Sequence, residues 1–191
     1  KENDWHRIGV TSPKRGAGRS FFAAGLAASV ARLDTMRVLL VDADLESPGL
    51  SAILDTAAPG PLEEILSGAH EPATQLIRMG HGMAVALNEA PVHFGAELFL
   101  APDAILAMRS MYDLLAPDVM IFDMPPLLDD SVAQALLPQL DAVLMISDGK
   151  ANTGADIVEC ERLLEGQVPL VGVALNKSED RDTRNAVRRR F

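Results

Sequence analysis

The chain has 191 residues, of which 48% are hydrophobic, and this length suits one well-buried core rather than two. Its formal net charge of −10 repels the phosphates of nucleic acids and anionic lipids, so a nucleic-acid partner is not expected. The basic end TRNAVRRRF runs against this charge, and we interpret it as a solvated helix end or the edge of a longer protein rather than an anionic-surface contact.

The cysteine content and the apolar runs exclude other classes of protein. Cys160 is the single cysteine, so an internal disulfide and a cysteine-rich metal site are excluded, which suits a reducing cytosol. No apolar run reaches the about 18 residues of a membrane span, and no signal-peptide pattern opens the chain. Because the chain begins at Lys1 and not at methionine, an excerpt from a larger protein with a membrane segment elsewhere is one interpretation.

Strand-like and helical segments alternate along the chain. Apolar runs bounded by turn residues predict strands over 8–10, 37–43, 83–87, 119–123, 142–147 and 170–175, most of them apolar on both faces. Helical spacing predicts helices over 18–33, 61–67, 103–115, 130–137 and 153–165. The alternation favours a single α/β domain over 1–191, with a mostly parallel sheet between helices.

The stretch VTSPKRGAGRS, residues 10–20, joins the first predicted strand to the first predicted helix. Ligands of parallel sheets bind beyond the carboxyl ends of the strands, so this loop is the first candidate site. Gly16 and Gly18 permit the backbone N–H groups to turn inward around phosphates, at the positive end of the helix dipole.

The loop matches the phosphate-binding pattern G-x-x-x-x-G-K-[ST] imperfectly. Pro13 stands at the first glycine, Arg19 replaces the lysine, and Ser20 keeps the hydroxyl that binds Mg²⁺. On the loop alone, an ordinary glycine-containing turn between strand and helix is equally well supported.

Aspartates end two further predicted strands. Asp42 and Asp44 follow VLLV, and Asp123 follows VMIF. Such carboxylates can hold a metal ion at the β- and γ-phosphates or orient a nucleophile through water, although each alone is more typical of a helix cap or turn. Together, at strand ends facing one loop, they favour nucleotide binding.

The order VTSP…GAGRS, LLVDADLESPGL, PLEEILSG, DVMIFDMPPLLDD and LVGVALNK resembles the kinase domain of bacterial tyrosine kinases, from about Ile8 to about Asn176. These are P-loop proteins that partner polysaccharide co-polymerases in capsule and exopolysaccharide export. Their broader kin are the deviant-Walker ATPases of division-site selection and DNA partitioning. The resemblance implies ATP or ADP and Mg²⁺ as cofactors, a membrane co-polymerase or other exopolysaccharide machinery as partner, a homo-oligomer, and a cytoplasmic location at the inner face of the membrane.

The resemblance also implies residue roles. Asp42, Asp44 and Arg19 would be catalytic. Ser20, Asp42 and Asp123 would hold the metal. The nucleotide-binding residues would be Ser12, Pro13, Lys14, Arg15, Gly16, Ala17, Gly18, Arg19, Ser20, Phe21 and, near the base, Asn176.

The chain departs from the family pattern at several positions. Arg19 is longer and planar and cannot reproduce the point charge of lysine, Phe21 is bulky, and Met124 stands where threonine is usual. The family commonly phosphorylates a tyrosine-rich tail, whereas Tyr112 is the single tyrosine here. The spacing of Ile105, Leu106, Met108, Tyr112 and Leu115 predicts that Tyr112 packs in a helix.

Three functions follow as hypotheses. The leading one is a catalytically degenerate tyrosine-kinase-like domain that binds nucleotide and regulates or scaffolds polysaccharide synthesis or export. The alternatives are a working autokinase or ATPase, and a partitioning-type switch that dimerises on ATP. In the last, Lys14 would be the signature lysine that crosses to the partner's nucleotide, although an exposed loop charge is the simpler interpretation.

Overall fold

A computed structural model of the protein describes residues 4–178. Its centre is a seven-stranded sheet in the order β3-β4-β2-β5-β1-β6-β7, in which only β3 runs antiparallel to its neighbour. The strands are β1 Arg7–Thr11, β2 Val38–Asp42, β3 Leu76–Met79, β4 Met83–Ala86, β5 Val119–Asp123, β6 Ala142–Asp148 and β7 Leu170–Asn176. This architecture confirms the predicted fold class.

Helices cover both faces of the sheet. They are α1 Arg19–Ala31, α2 Leu50–Ile53, α3 Leu62–Leu66, α4 Gly95–Leu100, α5 Pro102–Leu115, α6 Ser131–Leu136 and α7 Gly154–Leu164, with short 3₁₀ turns at Pro72–Thr74 and Leu137–Gln139. Burial on both faces explains why every residue of β2 and β5 is buried and why their sequences, VLLVD and VMIFD, are apolar up to the final aspartate.

The core has two parts, one on each face. On one face, small side chains of α1, among them Ala23 and Ala27, bring this helix close to the sheet beside Val10, Leu40 and Ile121. On the other face, the larger cluster joins β2 and β5 to α3 through α7. The close packing of α1 on its face of the sheet places the beginning of this helix against the carboxyl ends of β1, β2 and β5.

Three short elements were not predicted from the sequence. Strand β3 has four residues and includes the exposed Arg78, and it pairs with β4 through a turn in which Gly80 has a φ of 67°. Helices α2 and α4 have four and six residues. Segments this short bury little surface by themselves, and their neighbours in the fold decide their conformation.

Tyr112 lies in a helix as predicted, but the prediction that its side chain is packed was wrong. Helix α5 buries Ala104, Ala107, Met108 and Met111. Tyr112 is 39% exposed, and of the residues predicted to pack beside it Ile105 is 54% and Leu106 60% exposed. The helix presents its small and methionine side chains to the core, a choice that apolar spacing alone does not distinguish.

Among the residues that the structure describes, no helix is both long and apolar enough to cross a bilayer. Cys160 is a free, buried cysteine of α7.

Candidate nucleotide-binding site

The loop between β1 and α1 has the conformation predicted for a phosphate-binding loop. Strand β1 ends at Thr11 and α1 begins at Arg19, and between them Gly16 and Gly18 have φ values of 88° and 90°. Only glycine adopts this left-handed region readily. Gly18 lies at the N-cap of α1 without a side-chain cap, so the positive end of the helix opens onto the loop.

The segment after β5 is hydrogen-bonded to the start of the loop. The Thr11 hydroxyl donates to the Pro125 carbonyl over 2.7 Å, and the Leu127 N–H donates to the Ser12 carbonyl over 2.9 Å. With the bond from the Leu128 N–H to the Pro13 carbonyl over 3.2 Å, they tie residues 11–13 to residues 125–128. The start of the loop is therefore part of the sheet's carboxyl edge.

Arg19, at the position of the usual lysine, is buried and engaged by protein groups. Its side chain is 6% exposed, its Nη2 lies 2.6 Å from Asp44 Oδ2, and its Nη1 donates to Ser12 Oγ over 3.1 Å. Arg15 approaches the same carboxylate, with Nη1 3.1 Å from Asp44 Oδ2, and its Nη2 pairs with Asp130 at 3.0 Å. Asp44 thus lies between two guanidinium groups.

Asp44 experiences two opposing influences. Burial raises the pKa of the Asp44 carboxyl above its ordinary value, and the neighbouring Arg19 and Arg15 oppose this rise. A buried carboxylate with two cationic partners holds them strongly, because separating them leaves an uncompensated charge away from water.

Asp42 and Asp123 stand side by side at the ends of β2 and β5, where they are register partners, and both are fully buried. Asp42 Oδ2 accepts the Leu50 N–H over 3.3 Å. Within residues 4–178, Asp42 Oδ1 and both carboxylate oxygens of Asp123 have no hydrogen-bond partner. Buried carboxyl oxygens without a partner can accept a hydrogen bond or hold a cation.

The pKa values of the two carboxyls agree with this environment. Burial, then repulsion from Asp123, raises the pKa of Asp42 to about 8. Burial raises the pKa of Asp123 to about 7, while the nearby Ser20 hydroxyl and Arg19 moderate the rise. Oxygen donors from Ser20, Asp42 and Asp123 suit Mg²⁺, which prefers such ligands.

Lys14 and Asn176 contact parts of the same chain. Lys14 Nζ pairs with Asp156 Oδ1 at 2.8 Å, in the capping box that begins α7. Asn176 Nδ2 donates to the Ala17 carbonyl over 2.9 Å, and a β-carbon added at Gly18 would lie 2.6 Å from this amide. The sequence placed Asn176 near a nucleotide base. In the structure its side chain contacts the phosphate-binding loop itself.

Phe21 and Met124, the two bulky departures from the pattern, do not fill the loop. Phe21 is 74% exposed on the first turn of α1. Met124 is buried in the core, where a β-carbon added at Gly9 would overlap its sulfur. The change that alters the loop's chemistry is therefore Arg19.

Four residues that contact the loop were not predicted from the sequence. Asp130 and Asp156 pair with loop cations, Asp129 accepts the Arg15 N–H over 3.3 Å, and Lys177 donates to a loop carbonyl. The only sequence signal for them is position, since each follows a predicted strand or opens a predicted helix.

A parallel sheet, a glycine-containing loop between β1 and α1, and aspartates ending β2 and β5 define a P-loop NTPase domain. The chain belongs to the ParA family, whose profile, described as NUBPL iron-transfer P-loop NTPase, matches residues 5–183.

Several of its relatives are named for tyrosine kinases and polysaccharide transport. The chain is 30% identical over 175 residues to tyrosine-protein kinase YwqD of Bacillus subtilis, covering 87% of this chain and 70% of YwqD. It is 29% identical over 185 residues to the succinoglycan biosynthesis transport protein ExoP of Rhizobium meliloti, covering 90% of this chain. It spans only 22% of ExoP.

The fold agrees with the same group. The kinase domain of Escherichia coli tyrosine kinase ETK superposes with a TM-score of 0.83 at 23% identity, covering 95% of this chain and 71% of that chain. The resemblance to bacterial tyrosine-kinase domains is thus confirmed. The chain is a kinase-like P-loop domain related to exopolysaccharide biosynthesis and transport proteins.

Proposed function

We propose that this domain binds ATP or ADP with Mg²⁺ in the loop 12–20, transfers phosphoryl groups poorly, and serves as a regulatory or scaffolding partner in exopolysaccharide synthesis or export. The membrane partner would be a polysaccharide co-polymerase, which the domain would contact at the cytoplasmic face of the membrane. The names of the relatives support the pathway, and the geometry of Arg19 supports the loss of catalysis.

The buried ion pair between Arg19 and Asp44 carries this proposal. In a P-loop, the lysine neutralises charge between the β- and γ-phosphates as the phosphoryl group transfers. Arg19 holds Asp44 at 2.6 Å with 6% exposure, so turning its guanidinium away from Asp44 toward a phosphate would break a buried pair. Asp44, proposed as a catalytic residue, is likewise engaged by its ion pairs with Arg19 and Arg15.

Binding depends less on Arg19 than transfer does. The loop N–H groups and the end of α1 attract phosphate whatever side chain stands at position 19. Ser20, Asp42 and Asp123 would hold Mg²⁺, which would supply positive charge to neutralise the phosphates. An interaction lost mainly from the transition state lowers turnover more than affinity.

Calorimetry with MgADP and MgATP, together with phosphate release, tests the proposal on three proteins: wild type, Arg19→Lys and Arg19→Ala. We expect wild type to bind both nucleotides with slow turnover, Arg19→Lys to turn over about tenfold faster, and Arg19→Ala to bind more weakly. Arg109→Ala removes an exposed arginine of α5 and is the matched control.

Two outcomes would contradict the proposal. If wild type hydrolyses ATP at a kinase-like rate and Arg19→Lys is slower, Arg19 is an adapted catalytic residue and the chain is an autokinase or ATPase. If ATP drives wild type from monomer to dimer in light scattering and Lys14→Ala abolishes this, the partitioning-type switch is correct.

A further inference from the structure

We propose that Lys177 is a positioning residue for the phosphate-binding loop: it holds the Gly16 carbonyl outward, so that the following N–H group stays directed toward bound phosphate. This inference rests on the proposed nucleotide binding, which it deepens by naming a group that prepares the loop from outside.

The contacts come from Asn176, which ends β7, and from Lys177, which follows it. Lys177 Nζ donates to the Gly16 carbonyl and lies 3.4 Å from Asp148 Oδ2. Asn176 Nδ2 donates to the next carbonyl, that of Ala17, over 2.9 Å. Two consecutive carbonyls of the loop are therefore held by side chains from the end of one strand.

Holding a carbonyl also orients an N–H group. A trans peptide is planar, and its C=O and N–H point in opposite directions. Fixing the Gly16 carbonyl fixes the N–H of Ala17, and fixing the Ala17 carbonyl fixes the N–H of Gly18. These are N–H groups of the kind that a phosphate-binding loop presents to its ligand.

The loop needs such a restraint because of its glycines. Gly16 and Gly18 reach φ values near 90°, but they also give the loop more freedom than other residues would. Lys14 and Arg15 pair with carboxylates through their side chains, whereas Lys177 acts on the loop backbone.

Lys177 is itself held in an unusual backbone conformation. Its φ is 53°, in the left-handed region that residues other than glycine seldom adopt. The Lys177 N–H donates to Asn176 Oδ1 over 2.9 Å, and the Gly149 N–H donates to the Asn176 carbonyl over 2.8 Å. The second of these hydrogen bonds joins the turn after β6 to the end of β7.

Asp148 completes the arrangement as the anionic partner of Lys177. Its Oδ1 accepts the N–H groups of Lys150 and Ala151 over 2.8 and 3.1 Å, which leaves Oδ2 to face the ammonium group. These N–H groups, with Lys177, lower the pKa of Asp148, so the carboxylate is ionised at neutral pH.

The test uses Lys177→Met, the conservative variant Lys177→Arg, and Arg109→Met as a charge-matched control at an exposed site of α5. The first measurement is amide hydrogen exchange of residues 16–20 without nucleotide. We expect exchange at Ala17 and Gly18 to be about tenfold faster in Lys177→Met, near wild type in Lys177→Arg, and unchanged in the control.

The second measurement is calorimetry with MgADP and with adenosine. Loss of one charge-assisted hydrogen bond predicts about tenfold weaker MgADP binding in Lys177→Met, largely rescued in Lys177→Arg, with adenosine binding unchanged. Asp148→Asn should weaken MgADP binding less, and its effect should not add to that of Lys177→Met, because both act through one contact.

The outcomes separate this inference from the proposed function. Unchanged exchange in Lys177→Met, or an equal loss of adenosine and MgADP binding, overturns the positioning role. If wild type binds no nucleotide, the proposed function fails, and the exchange measurement still decides whether Lys177 orders the loop. Equal melting temperatures among the variants show that the fold is intact.

Discussion

At the scale of single residues, the site is governed by charges removed from water. Asp42 and Asp123 have no cation of the protein as a direct partner in the described range, whereas Asp44 has two. Neighbouring carboxylates therefore differ in role: Asp44 is neutralised by the protein, and the other two are suited to an external cation.

The unusual pKa values of Asp42 and Asp123 predict how stability depends on pH. The folded protein keeps protons, with pKa values of about 8 and about 7, that the unfolded chain releases near 3.8. The unfolded state thus binds fewer protons, and the free energy of unfolding falls as the pH rises from about 4 to about 8, without metal.

Asp42→Asn should remove part of this fall, because the amide carries no charge and can still accept the Leu50 N–H. In urea unfolding without Mg²⁺, we expect the stability of the variant relative to wild type to rise by roughly 3 to 4 kcal/mol between pH 5 and pH 8. Asp103→Asn, at an exposed position of α5, is the control. A constant difference between wild type and Asp42→Asn across this range would refute the assignment.

At the scale of secondary-structure elements, α5 determines whether the single tyrosine can act as a phosphoacceptor. Although Tyr112 is 39% exposed, it lies in the last turn of a 14-residue helix, where its carbonyl accepts the Ala116 N–H over 2.7 Å. A phosphoacceptor must align closely with the transferring group, and a hydroxyl on a folded helix cannot follow the contours of a second active site without local unfolding.

We therefore expect little phosphate on Tyr112 after incubation with MgATP, measured by mass spectrometry of the intact chain, with Tyr112→Phe as the blank. The reason is the helix and not burial, since the side chain is accessible. Stoichiometric phosphate that disappears in Tyr112→Phe would show a working kinase and would reverse the proposed function.

At the scale of the whole molecule, the two core clusters share one sheet. Leu40 and Ile121 face α1, while their neighbours Leu39 and Met120 face the opposite cluster. Because β2 and β5 contribute side chains to both clusters, unfolding either strand would expose both clusters to water. The described residues 4–178 therefore share one sheet, and a single domain over 1–191 stays a prediction.

The prediction is one cooperative unfolding transition. Fluorescence of Trp5, just before β1, and far-ultraviolet circular dichroism should give coincident urea curves with one midpoint. Two separated midpoints would show that the halves of the sheet unfold independently.

Much of this molecule follows from local sequence. The continuously apolar strands, the glycines at 16 and 18, and aspartates at strand ends are local patterns, and each predicted its element and its place at the carboxyl edge. Parallel strands bring their ends together by necessity, so the convergence of Asp42 and Asp123 on the loop was predictable.

The pairing of charges was decided only by the tertiary structure. Arg19 and Asp44 are 25 residues apart, and Lys177 and Gly16 are 161 apart. Local periodicity carries no information about which distant groups meet, how deeply they are buried, or which face of α5 packs inward. Those outcomes depend on how the side chains of neighbouring elements fill the space between them, and they distinguish a buried Arg19 from one free to meet a phosphate.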